Sequence, residues 1–204
     1  MTATSISVRT GGTQIRRIRP ASHLRGSSAT TSTDRALLPL AYRRGGVSWW
    51  LLPTTADVGI RAFSADAAGA LAEAALGLQA VQAPGSTLAD LSDPMVSTAE
   101  WEVEVPNGDL ERGLVRWLEE VLYKGGSEGQ WLVDASISIA DGAIRARVSW
   151  TDSKNVDLVI EVKAITLHEL VLREVTLGEV VVGVEPEIPS FEGPGWMAQV
   201  ILDV

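Results

Sequence analysis

The chain has 204 residues, of which 46% are hydrophobic and 21% are charged, a composition that suffices for a globular domain with its own core. It contains no cysteine, which excludes disulfides, thiol catalysis and cysteine-ligated zinc sites, and which fits a cytoplasmic protein. No run approaches the roughly 18 uncharged apolar residues that a membrane-spanning helix needs, so we expect no membrane association.

The positive charge is concentrated at the start of the chain. Eight of the 17 basic residues but only one of the 26 acidic residues lie within residues 1–46, which leaves nine basic and 25 acidic residues for 47–204. Residues 1–46 are rich in Ser, Thr, Gly and Arg without apolar periodicity, so we predict a disordered arm, with contact to RNA as the alternative. The acidic remainder is a poor general binder of nucleic acid and a better candidate for a hard cation or a basic protein surface.

Two short strands and a helix are predicted where the apolar pattern begins. The stretch "VSWWLLP" at 47–53 predicts a buried strand that ends at its proline, and "VGIRAFS" at 58–64 predicts a second strand. The Ala-rich segment 66–81 predicts a helix, with Ser64 or Asp66 as its N-cap. A Pro/Gly/Ser-rich loop follows, and the alternating end of "MVSTAEWEVEVP" predicts a half-exposed strand.

The strongest helix signal spans residues 109–126. Asp109 is placed to cap its start, and Gly125 and Gly126 are placed to end it. Its apolar residues recur at helical spacing and form one stripe, which comprises Leu110, Leu114, Trp117, Leu118, Val121 and Leu122.

The rest of the chain has the pattern of β-structure. Asp141–Gly142 between two alternating runs is a two-residue hairpin signal. Further strands are predicted over residues 156–172, over 174–184 and in the terminal "WMAQVILDV". We therefore predict an α+β fold in which two helices pack on a largely antiparallel β-sheet or sandwich, as a single domain over residues 47–204.

Catalytic patterns are weak in this sequence. The two histidines are His23, in the arm, and His168, which alternates with apolar residues and is interpreted as a structural residue on an apolar strand face. A small hydrolase that uses His168 and Glu169 ranks low for the same reason. No glycine-rich loop has the spacing of a phosphate-binding motif.

Two isolated acids follow a different pattern. Asp57 lies between a polar turn and a predicted strand, and Asp203 follows the last apolar run. Taken separately, they have the pattern of a turn residue and of a solvated charge near the chain end. If the terminal strand brings Asp203 and the α-carboxylate of Val204 to Asp57, three carboxylates meet and require a hard cation such as Ca²⁺, Mg²⁺ or Mn²⁺. The residue pattern alone does not establish that they meet.

Several segments together resemble the archease family. They are "TTADVGIRAFS", the Ala-rich helix, "DLERGLVRWLEEVLY", "EVKAITLHEL" and the terminal "GWMAQVILDV", and the resemblance covers residues 47–204. It implies a non-enzymatic, monomeric partner of an RtcB-type RNA ligase, which joins RNA ends with GTP and Mn²⁺. The partner would promote guanylylation and repeated turnover of the ligase, and would meet RNA only indirectly. The rival hypothesis is a general holdase chaperone with a tryptophan-rich surface.

The resemblance also implies which residues form the site. Asp57, Asp203 and Val204 match the positions that hold a divalent ion, usually calcium, in this family. Lys163 matches another polar position, where it either pairs with Glu161 on the surface or orients a carboxylate or a ligase phosphate. The family motif usually begins with histidine as "HTAD", whereas this chain has Thr54 at that position.

Overall fold

The computed structural model describes residues 48–52, 54, 57–84, 95–184 and 188–204. The arm predicted for residues 1–46 lies outside this range, as does most of the loop predicted after the first helix. No helix in the described part of the chain combines the length and the apolar character needed to cross a membrane.

The secondary-structure elements follow a ββαβα order before the chain continues in strands. The two α-helices are α1 (Ala67–Gln82) and α2 (Leu110–Ser127). The strands in the described residues are β1 (Trp49–Leu52), β2 (Val58–Ser64), β3 (Ser97–Glu104), β4 (Gln130–Ala140), β5 (Ala143–Asp152), β6 (Ala164–Ile165), β7 (Val171–Val175), β8 (Val180–Val181), β9 (Phe191–Glu192) and β10 (Gly195–Asp203). Short 3₁₀ turns lie at Pro106–Gly108 and Ser153–Asn155.

These strands form three sheets in the described residues, and every strand pair is antiparallel. The largest has the order β1-β2-β10-β6, with β7 also paired to β10. The second has the order β3-β5-β4, and β8 pairs with β9. The terminal strand β10 is therefore central: β2 lines one of its edges, while β7 and then β6 line the other. The predicted α+β class with a largely antiparallel sheet is confirmed.

Helix α1 lies deep between the two larger sheets. It packs against β2 and β10 on one side and β4 on the other, and nine of its 16 residues are buried. Small side chains allow this close approach: a Cβ on Gly77 would stand 2.8 Å from Cγ2 of Ile60 in β2. Of the two predicted caps, Ser64 and Asp66, the cap is Asp66, whose carboxylate accepts a hydrogen bond of 2.7 Å from the Gly69 N–H.

Helix α2 matches its prediction at the start and extends beyond it at the end. Asp109 caps it by accepting a 3.1 Å hydrogen bond from the Arg112 N–H, and Trp117 in its apolar stripe is fully buried. The helix does not end at Gly125 and Gly126, as predicted, but runs through both to Ser127. The left-handed turn that glycine favours occurs later, at Gly129, with φ of 70°.

The predicted hairpin is confirmed, but the long strand predicted over 156–172 is wrong. Asp141 and Gly142 both take positive φ, 53° and 73°, as a two-residue turn between β4 and β5 requires. Residues 157–163 form no strand, and the N–H groups of Val159 and Ile160 both bind the Gln82 carbonyl at the end of α1. Within the predicted stretch, only β6 and the first two residues of β7 form strands.

His168 is also not the apolar-face residue that alternation predicted. It lies in a turn between β6 and β7, and 75% of its side chain is exposed. Glu169 beside it has φ of 50°, which breaks the alternation on which the prediction depended. The strand predicted over 174–184 is likewise interrupted, by a turn that contains Gly178 with φ of 82°.

Candidate metal centre

The two isolated acids lie at the same end of two neighbouring strands, β2 and β10, in the largest sheet. Leu202 in β10 pairs with Val58 in β2, so Asp203 and Asp57 are the next residues beyond this pair. Val58 packs against the main core and Leu202 belongs to it, and strand alternation therefore directs Asp57 and Asp203 toward the opposite face. Both acids are exposed to solvent. We call this end of the sheet, with Asp57, Asp203 and Val204, the acidic tip.

The chain next to β6 fixes the other side of the acidic tip. Asp203 pairs with Ala164, and the carbonyl of Asp203 accepts a 2.8 Å hydrogen bond from the Lys163 N–H. Two residues earlier in β10, the carbonyl of Ile201 accepts a 3.0 Å bond from the Thr166 N–H. The last residues of the chain are thus held by main-chain bonds, although their acidic side chain points into solvent.

Lys163 contacts Val204 with its side chain as well. Its Nζ donates a 2.7 Å hydrogen bond to the main-chain carbonyl oxygen of Val204. In the part of the chain that the structure describes, no ion pair joins Lys163 to Glu161, which is exposed. In this structure the Lys163 side chain therefore binds the main-chain oxygen of Val204 and not Glu161.

Thr54 occupies the position at which the family motif usually has histidine. Its hydroxyl donates a hydrogen bond to the main-chain carbonyl of Asp57, three residues later. This bond joins Thr54 to the main chain of Asp57, the residue directly before β2. A local structural role for Thr54 is consistent with this contact and stays a prediction.

The donors at the acidic tip fit a hard cation. They comprise the Asp57 and Asp203 carboxylates and the main-chain oxygen of Val204, which are all oxygens, as Ca²⁺ and Mg²⁺ prefer. Within the described ranges, no group of three or more His, Cys, Asp or Glu side chains is arranged to hold a metal ion. A cation here would therefore combine two carboxylates with main-chain oxygen and water.

Sequence reasoning missed the contacts that hold this site together. Neither the Lys163–Val204 bond nor the Thr166–Ile201 bond has a local sequence signal, because each joins residues more than 30 positions apart. The Thr54–Asp57 bond joins residues only three positions apart, and the polar character of the sequence before β2 is its one local signal.

The other candidate residues do not assemble a site. His168 Nε2 lies 3.8 Å from Glu169 Oε1, but the two residues are sequence neighbours and both side chains are largely exposed. All seven tryptophans fall within the described residues, and each is buried or half-buried. Four of them, Trp49, Trp50, Trp150 and Trp196, are only partly buried, so the holdase hypothesis stays an alternative to be tested.

Comparison with known proteins gives a family. The model of the Archease protein family (MTH1598/TM1083) matches residues 49–204. The solution structure of Methanobacterium thermoautotrophicum protein 1598 is similar, with 21% sequence identity and a TM-score of 0.48, over 77% of this chain and 99% of that one. No curated protein matches the sequence. Because the family model covers most of the chain, including both strands that carry the acidic tip, the chain belongs to the archease family.

Proposed function

We propose that this protein activates an RtcB-type RNA ligase, without catalysis of its own, by presenting a metal-bound acidic tip to the active site of the ligase. Membership in the archease family indicates a role as a protein cofactor of an RNA ligase. One observation carries the finer proposal: Asp57 and Asp203, 146 positions apart in the sequence, lie beside the same terminal strand pair and are both exposed.

The acidic tip holds a divalent cation in this proposal, with calcium as the first candidate and Mg²⁺ or Mn²⁺ as alternatives. Asp57 and Asp203 supply the negative charge, and the main-chain oxygens of Val204 complete the protein ligands. The bound cation would offset the repulsion between the two carboxylates and fix the end of β10 against the start of β2. Thr54 binds the backbone that carries Asp57, and the Lys163 ammonium binds the Val204 oxygen until a cation replaces it.

The charge of the domain suits a ligase active site as its target. A site that binds GTP, Mn²⁺ and RNA phosphates is electropositive, and residues 47–204 carry 25 acidic against nine basic residues. Opposite charge speeds encounter and fixes the orientation in which the partners meet. The protein would enter the site as a cytoplasmic monomer, promote guanylylation and leave, with RNA contact only through the ligase.

The experiment measures guanylylation of a purified RtcB-type ligase with GTP and Mn²⁺, at substoichiometric amounts of this protein. We expect stimulation by the wild-type chain and its loss with Asp203→Asn. Glu174→Gln is the matched control, because Glu174 is an exposed carboxylate that lies opposite Trp196 at the other end of β10. Stimulation by the control but not by Asp203→Asn supports the acidic tip.

Two results would contradict the proposal. Full stimulation by Asp203→Asn would show that the acidic tip is not required. Failure of the wild-type chain to stimulate, combined with metal-independent suppression of aggregation of an unfolded client protein, would instead support the holdase hypothesis.

A further inference from the structure

Four large apolar side chains stand exposed in the segments that lead into or out of the acidic tip. Leu51, Leu158, Val159 and Leu167 expose 48%, 54%, 68% and 61% of their surface. We call them the apolar collar. They come from three separate segments of the chain, which precede β2, precede β6 and follow β6.

Strand pairing and hydrogen bonds join two segments of the collar directly to the strands of the acidic tip, and the third segment leads along the chain to Lys163. Leu51 precedes Leu52, which pairs with Gly59, two residues from Asp57. Val159 lies four residues before Lys163, and its N–H donates a 2.9 Å hydrogen bond to the Gln82 carbonyl.

Leu167 completes the collar from the other side of β6. It follows Thr166, whose N–H binds Ile201 two residues before Asp203. The backbone of each segment is thus held by main-chain hydrogen bonds, with the collar side chains exposed to solvent.

The collar supplies the apolar contact area that the acidic tip lacks as a binding surface. Exposed charges raise the association rate and select the partner but contribute little to affinity, because solvent and salt screen them. Affinity in protein interfaces comes mainly from a few apolar or aromatic anchors that become fully desolvated. An acidic centre flanked by four apolar side chains provides both.

We propose that the apolar collar binds the protein surface that surrounds the active-site opening of the RNA ligase while the acidic tip enters the opening. This inference rests on the proposed function and names the surface through which that function gains its affinity. The partner surface would be apolar at the rim, where it contacts the collar, and basic inside, where it contacts the acidic tip.

An exposed apolar residue outside the collar, Leu177, provides the control. Leu177 exposes 83% of its surface and lies beyond β7, whose last residue, Val175, pairs with Gly195 at the opposite end of β10 from Asp203. A substitution there changes exposed apolar area by a similar amount but does not touch the collar.

The test compares Val159→Ser, Leu167→Ser and the double variant with Leu177→Ser. Binding to the purified ligase is measured by titration calorimetry, and calcium binding and thermal unfolding are measured on the same samples. Each collar variant should weaken ligase binding about tenfold, as expected for an interface anchor. Calcium affinity and melting temperature should stay at wild-type values, and Leu177→Ser should bind the ligase normally.

The outcomes separate this inference from the proposal on which it rests. If the wild-type chain binds the ligase and the collar variants bind equally well, the collar inference fails and the acidic tip stands. If the wild-type chain does not bind the ligase at all, both fail. If the collar variants instead change the sedimentation behaviour of the free protein, the collar is a contact between copies of this chain, and its assignment to the ligase is overturned.

Discussion

The Asp203→Asn substitution removes one of the two carboxylates of the acidic tip and keeps the size of the side chain. In the described structure the Asp203 side chain is exposed, and only its main-chain groups make hydrogen bonds. Without a cation, the variant should therefore unfold at the wild-type temperature or slightly above it. Relief of the repulsion between Asp57 and Asp203 contributes at most a few tenths of a kcal/mol, because both groups face solvent.

With a cation the effect is much larger. A divalent ion about 3 Å from a carboxylate in a water-like dielectric gains about 2.8 kcal/mol, which corresponds to about 100-fold in affinity. At a calcium concentration of about 100 times the dissociation constant, binding stabilises the wild-type fold by about 2.7 kcal/mol. For a domain of this size this raises the melting temperature by about 5–10 °C. The variant at the same concentration would gain only about 0.4 kcal/mol, or about 1 °C.

Thermal unfolding followed by circular dichroism, in EDTA and in calcium chloride, measures this difference directly. Glu174→Gln should show the full calcium-dependent shift, because it removes an exposed carboxylate from the same sheet but not from the acidic tip. Retention of the full shift by Asp203→Asn would refute the assignment of Asp203 as a ligand. Absence of any shift in the wild-type chain, with calcium, magnesium or manganese, would refute the metal site as a whole.

Three further changes test the fold. Asp66→Ala should lower the free energy of unfolding by about 1 kcal/mol in chemical denaturation, because it removes the cap of α1. Trp117→Ala should lower it by about 3–5 kcal/mol, because the side chain is fully buried, and Trp117→Phe should recover part of this loss. The hydrogen bond from the Thr176 N–H, and then the bond from Arg173, hold the pKa of Glu179 below its ordinary value of 4.5. Its contribution to stability is therefore present above pH 4.5 and is lost as the pH falls through the lowered pKa, so Glu179→Gln should lose less stability than the wild type between pH 5 and pH 3.

Local patterns were sufficient to predict the helices and the hairpin. The apolar stripe of α2, its cap at Asp109 and the turn at Asp141–Gly142 each depend on residues a few positions apart, so a single sequence determines them. The error at His168 has a local cause too. Alternation over residues 156–172 assumed one continuous strand, but Glu169 takes a positive φ and the chain turns there.

The acidic tip could not be predicted in this way. Asp57 and Asp203 are brought together by the pairing of β2 with β10, and strand pairing across more than 100 residues leaves no periodic signal in either segment. Only the resemblance to a family placed these residues in one site. The resemblance did not indicate the collar either, because Leu158 and Val159 were predicted in a strand, whereas this segment forms no strand and its Val159 N–H binds the Gln82 carbonyl.

Lys163 allows a last test of the acidic tip, because its ammonium and a cation require the same oxygen of Val204. The Nζ–O distance is 2.7 Å, and a cation on that oxygen would lie about 4–5 Å from Nζ. The repulsion between a single and a double positive charge at that distance in a water-like dielectric is about 1.7–2.1 kcal/mol, which salt reduces for exposed groups.

Lys163→Met should therefore raise calcium affinity about tenfold, as measured by calorimetry. In EDTA it should lower the melting temperature by about 1–3 °C, because an exposed charged contact contributes about 0.2–1 kcal/mol. Arg173→Met, at an exposed cation on β7, is the control and should leave calcium affinity unchanged. A fall in calcium affinity on Lys163→Met would reverse the assignment, since it would mean that the lysine organises the Val204 oxygen for the cation more than it competes with the cation.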